Sequence, residues 1–348
     1  MTENNEKFDK PFVDIPDLLS LLQSRGVKVT HPDVAAGLLR DYGYYGLVNG
    51  FKRGFLTSES THDSEIYEAG TSLLDMASHY LIDSQFQQLF LTSLFPIENQ
   101  FRTLIGYEVG KEFGVNNYGP NDPHNPDPSV PSYLDVNNYT GKTRNSVIEY
   151  IRSHVLTSLD DPTAYYREKH NHIPPWIMMS NMMLGTAVKY YRILPVQQRV
   201  NIAHALLPAS IGTNEQVLVA NVLSAMDALR QFRNSAAHSS PMYLNKVNYK
   251  RNALSEPSKK FFSKFVGKDV FRGLKGFCGI NDLFAALFFI IVLTPQPARR
   301  IAFMFQLKEL ERQNDTNTLR DNYQKYLNQA GLPIDYIARL ELAMNNLQ

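Results

Sequence analysis

Three residues stand out for the chemistry they can do together: Arg233, Asn234 and His238, within Arg233-Asn234-Ser235-Ala236-Ala237-His238. These types suit cleavage of a phosphodiester. Imidazole titrates near neutrality, so a histidine can take the proton of a ribose 2′-hydroxyl. Guanidinium stays charged and grips a phosphate through paired hydrogen bonds as negative charge builds in the transition state. An asparagine amide can orient the histidine or a phosphate oxygen. Such chemistry requires no metal and no other cofactor. On a helix, Asn234 and His238 share a face, while Arg233 lies about 140° from His238. Spacing alone is weak support, because a histidine in a last helical turn often serves only as a cation at the dipole's negative end.

The element that must carry these residues is legible. From about Asn214 to Ser239, Val219, Val222, Met226, Leu229, Phe232 and Ala236 recur at helical spacing, and Pro241 stops the pattern. Arg233 falls at the edge of that stripe, where a guanidinium leaving water needs an acidic or phosphate partner. Upstream, Asp14-Ile15-Pro16 opens a helix that Gly26 closes. Thr30 and Asp33, with Pro32 between them, resemble a capping box for a second helix ending at Gly43. Tyr42 to Phe55 reads as a turn with exposed aromatics, and a third helix is expected from about Asp63 to Ile82. Phe86, Phe90, Ile97, Phe101 and Leu104 then mark a longer helix that fades at Gly114, with Glu98 and Arg102 beside its stripe. Five prolines between Asn116 and Pro131 exclude a helix or central strand there. Further helices are expected at Ser146–Leu159, from Pro174-Pro175-Trp176 through Tyr191, and from Pro195. The last four are expected at Asp282–Leu293, Pro297–Gln313, Thr316–Gln329 and Pro333–Asn346.

No segment alternates with period two, so the fold class is all-α. The expected domains are an N-terminal helical module over 1–83 and a helical domain over 84–348. The second carries a Pro/Asn-rich insert at 115–140 and C-terminal helices packed on it. The chain has 348 residues and a single cysteine, Cys278, which excludes an internal disulfide framework and fits a reducing cytoplasm. The first ten residues are polar and mixed in charge, without a signal-peptide pattern. The longest apolar run, Leu283 to Leu293, has eleven residues, and a membrane span needs roughly 20. No membrane partner is expected.

Net charge is +1, yet Lys246 to Lys275 holds nine Lys/Arg against Glu256 and Asp269, a local +7. Lys246, Lys250, Arg251, Lys259, Lys260 and Lys264 are the candidate contacts to a polyanion such as RNA; a solvated basic surface is the plainer alternative. Tyr44, Tyr45 and Phe51 can stack on unpaired bases, although loop aromatics more often close over a local core. Two other signals are set aside. Gly141-Lys142-Thr143 lacks the first glycine of a phosphate-binding loop, Val136 standing in its place. Glu168, His170 and His172 sit close together but read as a polar loop rather than a metal site.

Larger blocks carry a resemblance. Arg-Asn-x-x-Ala-His at the end of a long amphipathic helix resembles the signature of HEPN domains, helical bundles of which many members are metal-independent ribonucleases. Leu18-Leu19-Ser20-Leu21-Leu22-Gln23-Ser24-Arg25-Gly26 with Tyr44-Tyr45-Gly46-Leu47 resembles the opening of the Abi-like family of bacterial abortive-infection proteins. Ile97-Glu98-Asn99-Gln100-Phe101-Arg102 resembles its first HEPN helix, and Pro174-Pro175-Trp176-Ile177 with Leu184-Gly185 its next block. The run Tyr44 to Phe51 and the long insert depart from the usual pattern.

The resemblance implies that Arg233 and His238 are a catalytic pair, that Asn234 is the polar position following the arginine, and that Glu98 and Arg102 are a charged pair on a facing helix. A Glu98–Arg233 ion pair would answer the arginine's need for a partner. It also implies a homodimer through the HEPN domain, since paired copies of the motif form one cleft, and RNA as substrate. An antitoxin is a possible restraint. The expected activity is a phage-defence endoribonuclease leaving a 2′,3′-cyclic phosphate. The alternatives are an RNA-binding protein that holds a small regulatory RNA with little cleavage, and a non-catalytic helical scaffold.

Overall fold

The computed structural model describes residues 10–61, 64–208, 214–238, 240–243, 263–266 and 282–347. Among them every regular element is helical. There is no strand, only two isolated bridges, Lys28 with Ser72 and Leu56 with Tyr67. The all-α class expected from the patterning is the class observed. By compactness the chain divides into two units. One comprises Met1–Gln88, Ser235–Asn245 and Glu309–Ile334; the other comprises Leu89–Asn234, Lys246–Lys308 and Asp335–Gln348.

In the first unit, α1 (Ile15–Ser24) starts under Asp14, whose carboxylate accepts the Ile15 N–H at 2.7 Å. α2 (Pro32–Tyr42) has His31 at its cap and no side-chain cap bond, so the capping box expected of Thr30 and Asp33 is not formed. Pro32 itself supplies a helical φ and lacks one of the unpaired N–H groups. The stretch after Gly43 is not an open aromatic turn. It winds as a π-turn (Tyr45–Asn49) and a 3-10 turn (Lys52–Phe55), burying Phe51 and Phe55. Phe51 stacks on Tyr243 with ring centroids 5.2 Å apart, so it is not available to a base. Gly54 lies against the Gln329 side chain, whose amide donates to the Gly54 carbonyl at 3.0 Å; a Cβ there would displace that amide.

The two helices expected between Asp63 and Gly114 are one, α3 (Leu73–Phe113), 41 residues long with Pro96 inside it. Its start lies ten residues later than expected, set by a reciprocal cap. The Ser72 hydroxyl and N–H both donate to Asp75 Oδ2 at 2.8 Å, and Asp75 N–H returns a bond to Ser72 Oγ at 3.2 Å. Nothing between Ile82 and Phe86 breaks the helix, because Ser84 bonds back to the Tyr80 carbonyl instead of interrupting the ladder.

In the second unit the insert stays non-helical from 116 to 131 and is ordered by short polar turns. Asp122, Asn125 and Asp127 each accept the backbone N–H two residues on, at 2.9 to 3.1 Å. α4 (Arg144–Tyr150) runs into a π-turn (Ile151–Val155), followed by α5 (Thr163–Lys169). The single helix expected from Pro174 to Tyr191 is two, α6 (Pro175–Ser180) and α7 (Leu184–Ile193), separated at Asn181. The Asn181 side chain donates to Asp160 O and Thr163 Oγ1, holding the break open. α6 lies close against α3, where a Cβ on Gly106 would come 3.1 Å from Trp176 Cα.

Then come α8 (Val196–Leu206), α9 (Glu215–Ala237), α10 (Leu283–Val292), α11 (Pro297–Asn314), α12 (Arg320–Ala330) and α13 (Tyr336–Asn346). Every residue of α10 is buried, and Asp282 caps it through the Ala285 N–H at 3.1 Å. No helix among the described residues is long and apolar enough to cross a membrane.

Candidate functional site

α9 presents the stripe that the sequence lays out: Val219, Val222, Met226, Leu229, Phe232 and Ala236 are all buried. Phe232 packs on Phe90 of α3, ring centroids 6.1 Å apart. A buried Asp227 anchors the helix to α7 by accepting from Arg192 at 2.5 Å, and it also lies 3.5 Å from Arg230 on α9. Arg233 is half-buried and Asn234 exposed, both in the closing turns. α9 ends at Ala237, so His238 is the first residue past the helix rather than inside its last turn. Its N–H donates to the Ser235 carbonyl at 3.3 Å, a tightened end, and its side chain is exposed.

Arg233, Asn234 and His238 make no side-chain hydrogen bond or ion pair among the described residues. The expected Glu98–Arg233 pair is not formed. The buried Glu98 instead lies 3.7 Å from Arg102, one turn along its own helix. Arg102 is further engaged with the α6–α7 break, donating to Met182 O at 3.1 Å and Ser180 O at 3.3 Å, and to Asn99 Oδ1 at 2.7 Å. A carboxylate four residues away on the same helix and open carbonyls at a helix end satisfy both charges without Arg233. The Arg233 guanidinium has no acidic partner among the described residues.

The chain just beyond His238 is held by residues that sequence reading missed. Asp83 on α3 accepts the Met242 N–H at 3.0 and 3.1 Å, the Tyr243 N–H at 3.1 Å and the Tyr326 hydroxyl at 2.7 Å. Gln87 donates to Asp83 Oδ2 at 2.7 Å and to the Ser240 carbonyl at 3.2 Å. The Tyr243 hydroxyl donates to Gly50 O at 3.0 Å. Asp83 is fully buried, and burial pushes its carboxyl above the usual range against the pull of those donors. A buried carboxylate that receives four donors and faces two consecutive backbone N–H groups is a latch on 240–243. The legible signal was periodic: His79 and Asp83 continue the Phe86–Phe90 stripe backwards, polar residues on an apolar face.

The remaining candidates are placed as follows. Tyr45 is 82% exposed. Tyr44 is half-buried, and desolvation raises its hydroxyl pKa, opposed by Arg25 and aided by Glu65. Lys264 is exposed in a helical turn at 263–266. Lys246, Lys250, Arg251, Lys259 and Lys260 lie outside the described residues. Glu168 and His170 are exposed, and His170 packs on the Tyr166 ring at 4.4 Å. No group of three or more His, Cys, Asp or Glu is placed to hold a metal among the described residues.

A family model described as Abi-like protein matches residues 37–244. That range includes Tyr44-Tyr45-Gly46, Ile97–Arg102, Pro174-Pro175-Trp176 and Arg233–His238. No curated protein and no solved structure matches the chain. The match covers more than half of the 348 residues, and the chain belongs to the Abi-like protein family.

Proposed function

We propose that this Abi-like protein acts in abortive infection as an endoribonuclease, with Arg233, Asn234 and His238 as its cleavage site. Family membership supports the phage-defence role. The observation that carries the ribonuclease reading is the state of the motif. An exposed imidazole and a half-buried guanidinium stand at one helix end, with no protein partner among the described residues. A guanidinium at an apolar edge without a carboxylate is costly unless a ligand answers it, and a phosphate does so in two parallel bonds.

In this reading Arg233 binds the scissile phosphate and Asn234 orients it. One His238 takes the 2′-hydroxyl proton as the 2′-oxygen attacks phosphorus. The 5′-oxygen leaves with a proton from the His238 of a second copy. The products are a 2′,3′-cyclic phosphate and a 5′-hydroxyl, and the paired use of one patch is the geometry of a two-fold dimer.

Expression of wild type and His238→Ala in bacteria tests the role in the cell. Under phage challenge, RNA is degraded and growth arrested with wild type only. Identical RNA profiles and growth for the two proteins would remove the ribonuclease reading. RNA co-purifying with an inactive wild type would favour the RNA-holding alternative.

A further inference from the structure

The second unit contains a cavity of about 960 Å³ between the Pro/Asn-rich insert and the segment from α4 to α6. It is lined on one side by Tyr118, Asn121 and His124, and on the other by Arg152, Arg167 and His170. Asp122 is the sole carboxylate of the lining, and its Oδ1 is occupied by the His124 N–H at 2.9 Å. The charge balance of the wall is therefore positive.

Both arginines are fixed by carbonyls rather than by acids. Arg152 Nη2 donates to Leu134 O at 3.1 Å, and Arg167 Nη1 donates to Leu156 O and Ser158 O at 2.9 Å. Carbonyls orient a guanidinium without neutralising it, and they leave the other N–H groups of each fork without a partner among the described residues. Two pre-oriented, uncompensated guanidiniums on one cavity are an anion site whose ordering cost is already met. The walls are also fixed: Asn117 Oδ1 accepts the Ile173 N–H at 2.7 Å, and the Tyr133 hydroxyl donates to Ile173 O at 2.9 Å.

The volume far exceeds what a simple oxyanion fills. The rest of the lining offers the flat ring of Tyr118, and the Asn121 amide, which has no partner among the described residues. Rings stack on a base, and amides read its edge. We propose that this cavity binds a nucleotide by its terminal phosphate, Arg152 and Arg167 gripping the phosphate. The site is separate from Arg233 and His238 and does not depend on the ribonuclease reading. The phosphate can belong to a free nucleotide or to the 5′ end of a strand.

Calorimetric titration of the full chain tests this. The probes are the four ribonucleoside 5′-monophosphates, their nucleosides and inorganic phosphate. A 5′-phosphorylated 2′-O-methyl pentanucleotide, which 2′-hydroxyl attack cannot cut, and its 5′-hydroxyl twin complete the set. At least one phosphorylated probe saturates a single site, and its unphosphorylated counterpart and inorganic phosphate bind at least about 10-fold more weakly. Tight binding of a monophosphate identifies a free nucleotide; binding of the pentanucleotide alone identifies a strand end. Arg152→Gln and Arg167→Gln each weaken binding by roughly 10-fold or more. Asn121→Asp, which adds a carboxylate at an exposed position, weakens it too and decides the matter if an arginine variant fails to fold. The proposal is overturned if no phosphorylated probe saturates, if inorganic phosphate binds equally well, or if Asn121→Asp leaves affinity unchanged.

Discussion

His238 and Arg233 hold no side-chain bond among the described residues, whereas Asp83, which latches the chain just past His238, holds four donors. Under the proposed function, chemistry and stability fall to different side chains and can be separated. His238→Ala and Arg233→Ala each lower RNA cleavage by roughly 100-fold or more, while their urea midpoints imply stability within about 0.5 kcal/mol of wild type. Asp83→Ala strands two backbone N–H groups and the Tyr326 hydroxyl in a buried setting. It costs about 2–4 kcal/mol in the same urea titration; a cost below that would remove the latch from the account.

His79 supplies a pH test. It is buried, Nε2 lies 3.0 Å from the Asn322 carbonyl and Nδ1 has no partner. Burial first, then the Lys325 charge, bring its pKa down to about 4, opposed by the Asn322 carbonyl and Asp75. Unfolded, it titrates near 6.5. Between those values only the unfolded chain takes the proton, so stability falls as pH falls, by roughly 3 kcal/mol across the window. Asp83 acts with the opposite sign: its raised folded pKa makes stability fall as pH rises above the ordinary carboxylate value. Comparing wild type with His79→Gln cancels the Asp83 contribution. The wild type loses more stability than the variant between pH 6.5 and 4, and parallel profiles would contradict the assignment.

At the scale of elements, the helices with apolar stripes were legible and their joints were not. The stripe of α9 is buried residue for residue, because repetition at three and four is a direct image of one face meeting a core. The joints depend on single polar side chains that satisfy backbone groups from outside the helix. Ser72 and Asp75 start α3, and Asn181 divides α6 from α7. The turn after α2 was misread for a related reason: Phe51 and Phe55 look like exposed loop aromatics until Tyr243 and His79 arrive from distant parts of the chain. The charged pair expected of Glu98 and Arg102 is present, four residues apart on one helix, whereas the further pairing expected of Glu98 with Arg233 is not formed. Small residues carry a prediction here too. Valine at Gly106 presses on the Trp176 backbone, and Gly106→Val costs about 1–3 kcal/mol by thermal or urea unfolding.

At the scale of the whole molecule, the match to the Abi-like family spans 37–244, from α2 to just past the motif. The basic stretch from Lys246 to Lys275 begins where that match ends. If it holds RNA, reversing charge at Lys246, Lys250, Arg251, Lys259 and Lys260 weakens binding for all sequences. It also flattens the salt dependence, by roughly 0.7 in log–log slope for each phosphate no longer neutralised. An unchanged slope would remove that stretch from RNA binding.

Cleavage itself is read most directly from product ends. Purified wild type and His238→Ala, incubated with total RNA in a chelating buffer, give fragments whose termini can be mapped. The wild type leaves 2′,3′-cyclic phosphates and 5′-hydroxyls, and His238→Ala leaves the RNA intact. Fragments with 5′-phosphates, or equal cleavage by the two proteins, would contradict the assignment of Arg233, Asn234 and His238 as the site.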